Sequence, residues 1–167
     1  MPGAGILPVA FHKNKIYFLF GRENKYNDTP GGSDFGGGIE KGESIMEANL
    51  REIEEETCGF IQSEEIIESI YRNGKLLFTM SPGGRKYTTT LVKIQYDERL
   101  PYYFNKTRST INKYVNPKII KTNVIFEKDQ LVWISMEEIR RLSYRSFYWN
   151  MIQILIENRQ KIERFVK

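Results

Sequence analysis

The sequence predicts an α/β (α+β) fold, a mixed β-sheet sandwiched between α-helices. Three observations predict it. Short apolar segments rich in aromatic and β-branched residues recur along the chain. Between and after them lie one capped acidic helical segment and a longer amphipathic one near the C-terminus. The 167 residues are 40% hydrophobic and 28% charged, which suits a single globular domain spanning 1–167.

The same numbers exclude several classes. Disordered, collagen-like and low-complexity architectures do not have this apolar content. Cys58 is the only cysteine, so no intrachain disulfide can form. The longest apolar runs are a few residues, too short to span a bilayer. The N-terminus lacks the charged n-region of a signal peptide. The expectation is a cytoplasmic protein without a membrane partner. Oligomeric state is not legible.

Residues 4 to 22 read as two strands, Ala4 to Phe11 and Ile16 to Phe20, turning at Lys13-Asn14. Asn24 to Gly32 is a loop of Asn, Asp, Pro and Gly. A short strand at Ser33 to Phe35 leads into Gly36-Gly37-Gly38. A helix opens at Ser44, where Ser44 and Glu47 form a capping box, and ends near Cys58-Gly59. Strands are expected at Ile66 to Arg72, Lys75 to Thr79 and Lys86 to Tyr96, the first two joined by an Asn73-Gly74 hairpin turn. Residues 99 to 126 read as a less regular insertion with six basic residues, several aromatics and no acid. Leu131 to Ile134 is a strand, and Ser135 to Glu138 opens a short helix. Ser146 to Phe165 reads as one amphipathic helix, with Phe147, Met151, Ile154 and Ile162 inward.

Charge is distributed unevenly. Gly36 to Phe60 carries seven acids against Lys41 and Arg51, a local charge of −5, while the rest of the chain is +9. A basic surface attracts phosphates, and an acidic spot repels them unless metal cations neutralise it. On a helical wheel at 100° per residue, Met46, Leu50, Ile53 and Thr57 form a narrow core stripe. Glu52, Glu55 and Glu56 share a face away from that stripe, with Ala48 between them, and Glu54 points elsewhere. Like charges at i,i+4 cost roughly 0.2–0.5 kcal/mol per pair. A hard divalent cation resolves that repulsion, because Mg²⁺ and Mn²⁺ prefer oxygen ligands.

Gly37, Glu43, Arg51, Glu52, Ile53, Glu55 and Glu56 stand at the spacings G-x5-E-x7-R-E-U-x-E-E, where U is a bulky aliphatic residue. This pattern resembles the Nudix box. The box continues x-G-U; here Cys58 takes the glycine position and Gly59 the aliphatic one, a departure that touches the helix terminus and not the carboxylates. Gly36 before the box matches the family's usual double glycine. The resemblance implies a Nudix fold and a pyrophosphohydrolase that uses Mg²⁺ or Mn²⁺ to cleave a nucleoside diphosphate linked to another group. It implies Gly36 (through its carbonyl), Glu52, Glu55 and Glu56 as metal ligands. Glu55 and Glu56 would act in catalysis, and Arg51, paired with Glu43, would orient them. The base would be a box glutamate or a later acid, for which Glu127 and Asp129 are candidates. Arg22 stands where some nucleotide-cleaving members carry a substrate-facing arginine.

The box does not choose a substrate. The proline of ADP-ribose members, the motif of NADH-type members and the tyrosine of diadenosine-polyphosphate members are missing from their usual spacings. Tyr102 and Tyr103, in the basic stretch 99–126, are candidate base-stacking residues. A free nucleotide such as a nucleoside triphosphate is the first expectation. Capped RNA, held by the basic tail, is the second, which would make this a decapping enzyme. A non-catalytic RNA- or protein-binding module is the third, and the intact carboxylate set argues against it.

Overall fold

Lys13 and Asn14 both take positive φ (46° and 60°), as a two-residue hairpin turn compatible with strand twist requires. They join β1 (Gly3–His12) to β2 (Lys15–Glu23). These strands pair only over Val9–His12 and Lys15–Phe18, then diverge. The fork is filled by β3 (Gly32–Ser33), which pairs with Gly21 and Arg22, and β4 (Phe35–Gly38), which pairs with Gly3–Ile6. The glycine segment is therefore a strand wedged between two parting strands. Asp34, at the wedge, is buried and accepts hydrogen bonds from Tyr87 Oη (2.7 Å) and Thr89 Oγ1 (2.6 Å).

The computed structural model describes residues 2–167. On the far side of β1 runs β6 (Tyr87–Lys93), parallel to it, and then β5 (Leu76–Met80) antiparallel to β6. β7 (Lys128–Ser135) pairs antiparallel with the outer edge of β2. The seven-stranded mixed sheet is covered on both faces. One core packs Phe18, Phe20 and Leu91 against α5 (Trp149–Glu157) and α6 (Arg159–Val166). The other packs Ile6, Leu19 and Phe35 against α1 (Ile45–Glu56), α2 (Ser63–Asn73) and α3 (Arg99–Tyr114). Even-numbered residues of β2 face the first core and odd-numbered ones the second, the two-residue period of a strand.

Several expectations need correction. Ile66 to Arg72 is helix, not strand: Ile66 and Ile70 recur at i,i+4, Glu64 and Glu65 sit in the first turn, and Arg72 in the last. Its β-branched residues misled. Asn73-Gly74 is a helix stop, with Gly74 at φ 76°, and not a hairpin turn. Residues 99–126 are largely helical: α3, then α4 (Pro117–Thr122), started by Asn116 and Pro117. Phe104 and Arg108, one turn apart, are the face of α3 that docks on the sheet side. The short helix after Ser135 is one 3₁₀ turn at Ile139–Arg141. The terminal helix is two helices. Asn158 leaves helical geometry between them (φ −97°, ψ 18°), and its amide bonds back to the Ile154 carbonyl at 2.8 Å, competing with the helical ladder.

Candidate active site

The capping box forms as expected: Ser44 Oγ accepts from the Glu47 N–H at 3.2 Å and Glu47 accepts from the Ser44 N–H at 2.8 Å. It starts α1 where it can pack on β1 and β4. The face that α1 buries is not the apolar stripe that the wheel suggests. The buried residues are Ala48, Asn49, Ile53 and Glu56, an arc rotated by about 80° from Met46. Glu56 is thus only 2% exposed and lies inside the fold, not on an outer face, and Ala48 is buried as well. The reason is the fork between β1 and β2. It sets the glycine strand against this side of the helix, and a glycine strand accepts a carboxylate at close range. An added Cβ on Gly37 would lie 2.5 Å from Glu52 Oε1.

Glu56 Oε2 accepts the Gly36 N–H at 2.9 Å. In a strand the N–H and C=O of one residue point to the same edge, so the Gly36 carbonyl faces the carboxylates too. Glu56 Oε1 is buried and makes no hydrogen bond, and its cationic neighbour is Lys128 Nζ at 3.3 Å. Taking a charged carboxylate out of water costs several kcal/mol, which an ion pair offsets only in part. Burial drives the Glu56 carboxyl well above its usual range, and the Lys128 ammonium at 3.3 Å opposes this. Glu52 is raised by burial and lowered by Arg51.

Arg51 is the organiser. Its Nε and Nη2 bond both oxygens of Glu43 (2.9 and 3.1 Å), Nη1 bonds Glu52 (2.7 Å) and lies 3.5 Å from Glu55, and Nη2 reaches the Gly38 carbonyl at 3.3 Å. Glu43 is held below the usual carboxylate range, first by this guanidinium. With Glu52 and Glu55 turned to Arg51, no three acids converge at coordination distance among the described residues. The donor set still fits a hard cation: carboxylate oxygens, one of them buried and without a hydrogen bond, beside a strand carbonyl.

Beneath the carboxylates lies a lysine with no exposed surface. Lys128 Nζ bonds Glu23 and Ser33 Oγ (3.0 Å) and faces Glu56. Burial works against its charge, but Glu56 and Glu23 outweigh burial and hold its pKa above the ordinary lysine value. Glu23 is also met by Asn27 Nδ2 (2.8 Å) and Arg145 Nη1 (3.2 Å). Sequence reading missed this network. Its one signal was strand parity: Gly21 and Glu23 share the Leu19 side of β2, toward α1. Arg22, the residue singled out, turns the other way, is exposed and donates to Gln130 Oε1 at 3.3 Å.

The later acids differ in surroundings. Asp129 accepts from Arg108 (3.0 Å) and Asn112 (3.2 Å). Arg108, 1% exposed, also donates to the carbonyls of Lys128 (2.8 Å) and Phe126 (3.0 Å) and so clamps the turn into β7. Glu127 projects from that clamped turn, and its charge acts on both Glu52 and Glu56. Burial first, then Glu23, raises its pKa. Tyr102 and Tyr103 are 58% and 55% exposed on α3 and contact each other edge-on at 5.1 Å. No hydrogen bond or ring contact links them to the carboxylates.

The box departure has a structural cost. Cys58 sits at φ 51°, a left-handed conformation that glycine adopts without strain, and Gly59 follows at φ 72°. A left-handed L-residue costs roughly 1–2 kcal/mol, and glycine's extra unfolded-state entropy offsets about half of that. Cys58→Gly is therefore expected to raise Tm by about 2 °C in a calorimetric scan. A lower Tm would mean that the Cys58 Sγ contact to the Ile125 carbonyl (3.1 Å) outweighs the strain.

A family model described as NUDIX domain matches residues 1–154. A search of curated proteins found no match. Solved structures share the fold. A Caenorhabditis elegans Ap4A hydrolase in binary complex is 15% identical with a TM-score of 0.62, covering 98% of this chain and 99% of its own. A Mycobacterium smegmatis Nudix hydrolase, RenU, is 15% identical with a TM-score of 0.54, covering 97% of this chain and 88% of its own. A MutT protein from Methanosarcina mazei is 15% identical with a TM-score of 0.54, covering 96% and 95%. These neighbours carry the mixed sheet between helices, and the family model spans the glycine strand, the carboxylate helix and β7 together. This chain belongs to the NUDIX domain family, the Nudix pyrophosphohydrolases.

Proposed function

We propose that the chain is a single-domain enzyme, dependent on Mg²⁺ or Mn²⁺, that cleaves the diphosphate linkage of a free nucleotide such as a nucleoside triphosphate. The observation that carries this reading is Glu56, a buried carboxylate beside Glu52 and the Gly36 edge whose Oε1 makes no hydrogen bond and is met only by the Lys128 ammonium at 3.3 Å. A binding module gains nothing from burying a carboxylate in this way.

Gly36, Glu52, Glu55 and Glu56 would hold the cations, which neutralise phosphate charge and lower the pKa of the attacking water. Arg51 keeps Glu52 and Glu55 in position from one side, and Lys128 holds Glu56 from below. Glu127, its pKa raised above the ordinary carboxylate value by burial, would accept the proton of that water. Free nucleotides are favoured over capped RNA because much of the basic surface is already engaged. Arg108 is buried, Arg140 bonds Gln153, Arg141 bonds Glu138 and Arg159 bonds Glu137.

The test is product analysis with Mg²⁺ on a panel of nucleoside triphosphates, ADP-ribose, a dinucleoside tetraphosphate and capped RNA. Cleavage of free nucleotides with capped RNA left intact is the expected result. Release of a methylated guanosine diphosphate from capped RNA alone would replace this reading with decapping.

A further inference from the structure

The strands β2 and β7 pair in step from Tyr17–Ser135 to Arg22–Gln130. The next pair is Glu23–Lys128, so Asp129 is an extra residue on β7, a β-bulge. A bulge of one residue reverses which side chains share a face. On the far side of it, Leu131 and Trp133 face the core under α1, and Val132 and Ile134 face the other core. Regular alternation would carry Lys128 to the Val132 side, away from Glu56. It would also set Asp129 opposite Glu23, acid against acid. With the bulge, Lys128 meets both Glu23 and Glu56.

The bulge is gripped by one face of α3, made by Asn105, Arg108 and Asn112 at helical spacing. Asn105 pairs with both backbone groups of Leu131, at 2.8 and 3.0 Å. Arg108 donates to the carbonyls of Lys128 (2.8 Å) and Phe126 (3.0 Å). The outer edge of β7 thus presents an odd-numbered residue on one side of the bulge and even-numbered ones on the other. A regular strand presents one parity along an edge, so this helix face fits the bulged strand alone. The extra residue itself, Asp129, accepts from Arg108 at 3.0 Å and from Asn112 at 3.2 Å. Between the two clamped carbonyls, Glu127 turns its own carbonyl inward to the Asn24 N–H at 2.7 Å.

Arginine is a poor choice here for stability alone. Arg108 is buried, its Nη1 makes no hydrogen bond, and its carboxylate partner is part-exposed. Phe104, one turn earlier, closes the same face with an apolar ring. An apolar side chain at 108 would serve packing as well or better. What a guanidinium adds is a planar fork that meets several acceptors in one fixed geometry. We propose that Arg108 is a positioning residue for the cleavage reaction, locking the bulge at Asp129 that turns Lys128 and Glu127 toward the carboxylate helix. The inference rests on the diphosphate-cleaving reading above and adds to it a residue that sets the geometry of the site from outside.

The experiment compares wild type, Arg108→Lys and Phe104→Leu. Lysine keeps the charge but cannot reach three acceptors at once. Leucine loosens the same helix face without touching the bulge. Two readouts are taken on each protein: steady-state kinetics with Mg²⁺ on the nucleotide that wild type cleaves, and amide hydrogen exchange. Arg108→Lys is expected to lower kcat roughly 10- to 100-fold with KM within about threefold of wild type. Exchange at residues 127–130 should rise about 10-fold or more, with α1 unchanged. Phe104→Leu should lose Tm and keep kcat. Should Arg108→Lys fail to fold, Asp129→Asn takes its place, with a smaller fall in kcat of roughly 3- to 10-fold and the same local rise in exchange. Equal falls in kcat for the lysine and leucine variants would make Arg108 merely structural and overturn the proposal. Unchanged exchange at 127–130, or a change in KM alone, would overturn it too. Full turnover by Arg108→Lys removes the positioning role and keeps the enzyme. A wild type that cleaves no nucleotide removes the enzymatic reading, and the positioning role falls with it.

Discussion

Glu56→Gln is expected to lower kcat/KM by on the order of 10³-fold or more on whichever nucleotide is cleaved, with the melting temperature close to wild type. The amide is isosteric, and its oxygen can still accept the Gly36 N–H that now reaches Oε2 at 2.9 Å. What is lost is the negative charge on the oxygen that makes no hydrogen bond and faces only the Lys128 ammonium. An amide oxygen is a weaker ligand for a divalent cation, so the metal concentration for half-maximal activity should rise as well. Steady-state kinetics across a Mg²⁺ titration, with a thermal melt on the same samples, checks both. A variant that keeps full turnover would remove Glu56 from the site. A large fall in Tm would instead mean that its charge serves mainly to balance Lys128.

Lys128→Met is expected to have the largest effect on stability. The substitution fills a similar volume but leaves Glu23 and Glu56 in the interior without the ammonium they share. Breaking a buried ion pair by removing one partner costs about 3–5 kcal/mol, because the remaining charge is uncompensated. For a chain of this length that is a fall in Tm of roughly 10 °C. Arg145 still meets Glu23 at 3.2 Å, so Glu56 is the more exposed to the loss. A divalent cation on Glu56 would replace part of the missing charge. Saturating Mg²⁺ should therefore recover more Tm in Lys128→Met than in wild type, by linkage of binding to folding. Differential scanning calorimetry with and without Mg²⁺ measures this. An equal Mg²⁺ increment in both proteins would show that Lys128 acts on Glu23 alone.

The two substitutions test residues of different legibility. Glu56 was readable from the sequence because its chemistry is written in local order. The spacing from Gly37 through Glu43, Arg51 and Glu52 to Glu56 spans the end of the glycine strand, one loop and one helix, and helical period converts spacing into position. The capping box was readable for the same reason, since a hydroxyl and a carboxylate three residues apart can each accept a free backbone N–H of the other residue at a helix start. The Arg51–Glu43 pair joined residues eight apart across a single turn. Local signals misled where two meanings share one composition. The isoleucines of Ile66 to Ile70 suit a strand or a buried helix face, and Asn73-Gly74 suits a hairpin or a helix stop.

By itself the sequence determined the mixed α/β class, the capped acidic helix, the glycine segment before it and the identity of the candidate metal carboxylates. Only the tertiary structure decided which face of that helix is buried, and hence that Glu56 is an interior group. It alone brought Glu23, Lys128 and Arg145, which are 105 and 122 residues from Glu23 along the chain, into one ion network. It also turned Arg22 away from the carboxylates. The physical reason is the forked sheet. Where β1 and β2 part, β3 and β4 enter between them, and the neighbours of a side chain are then set by which strands meet there. Periodicity tells which residues share a face. It does not tell what the rest of the chain places against that face.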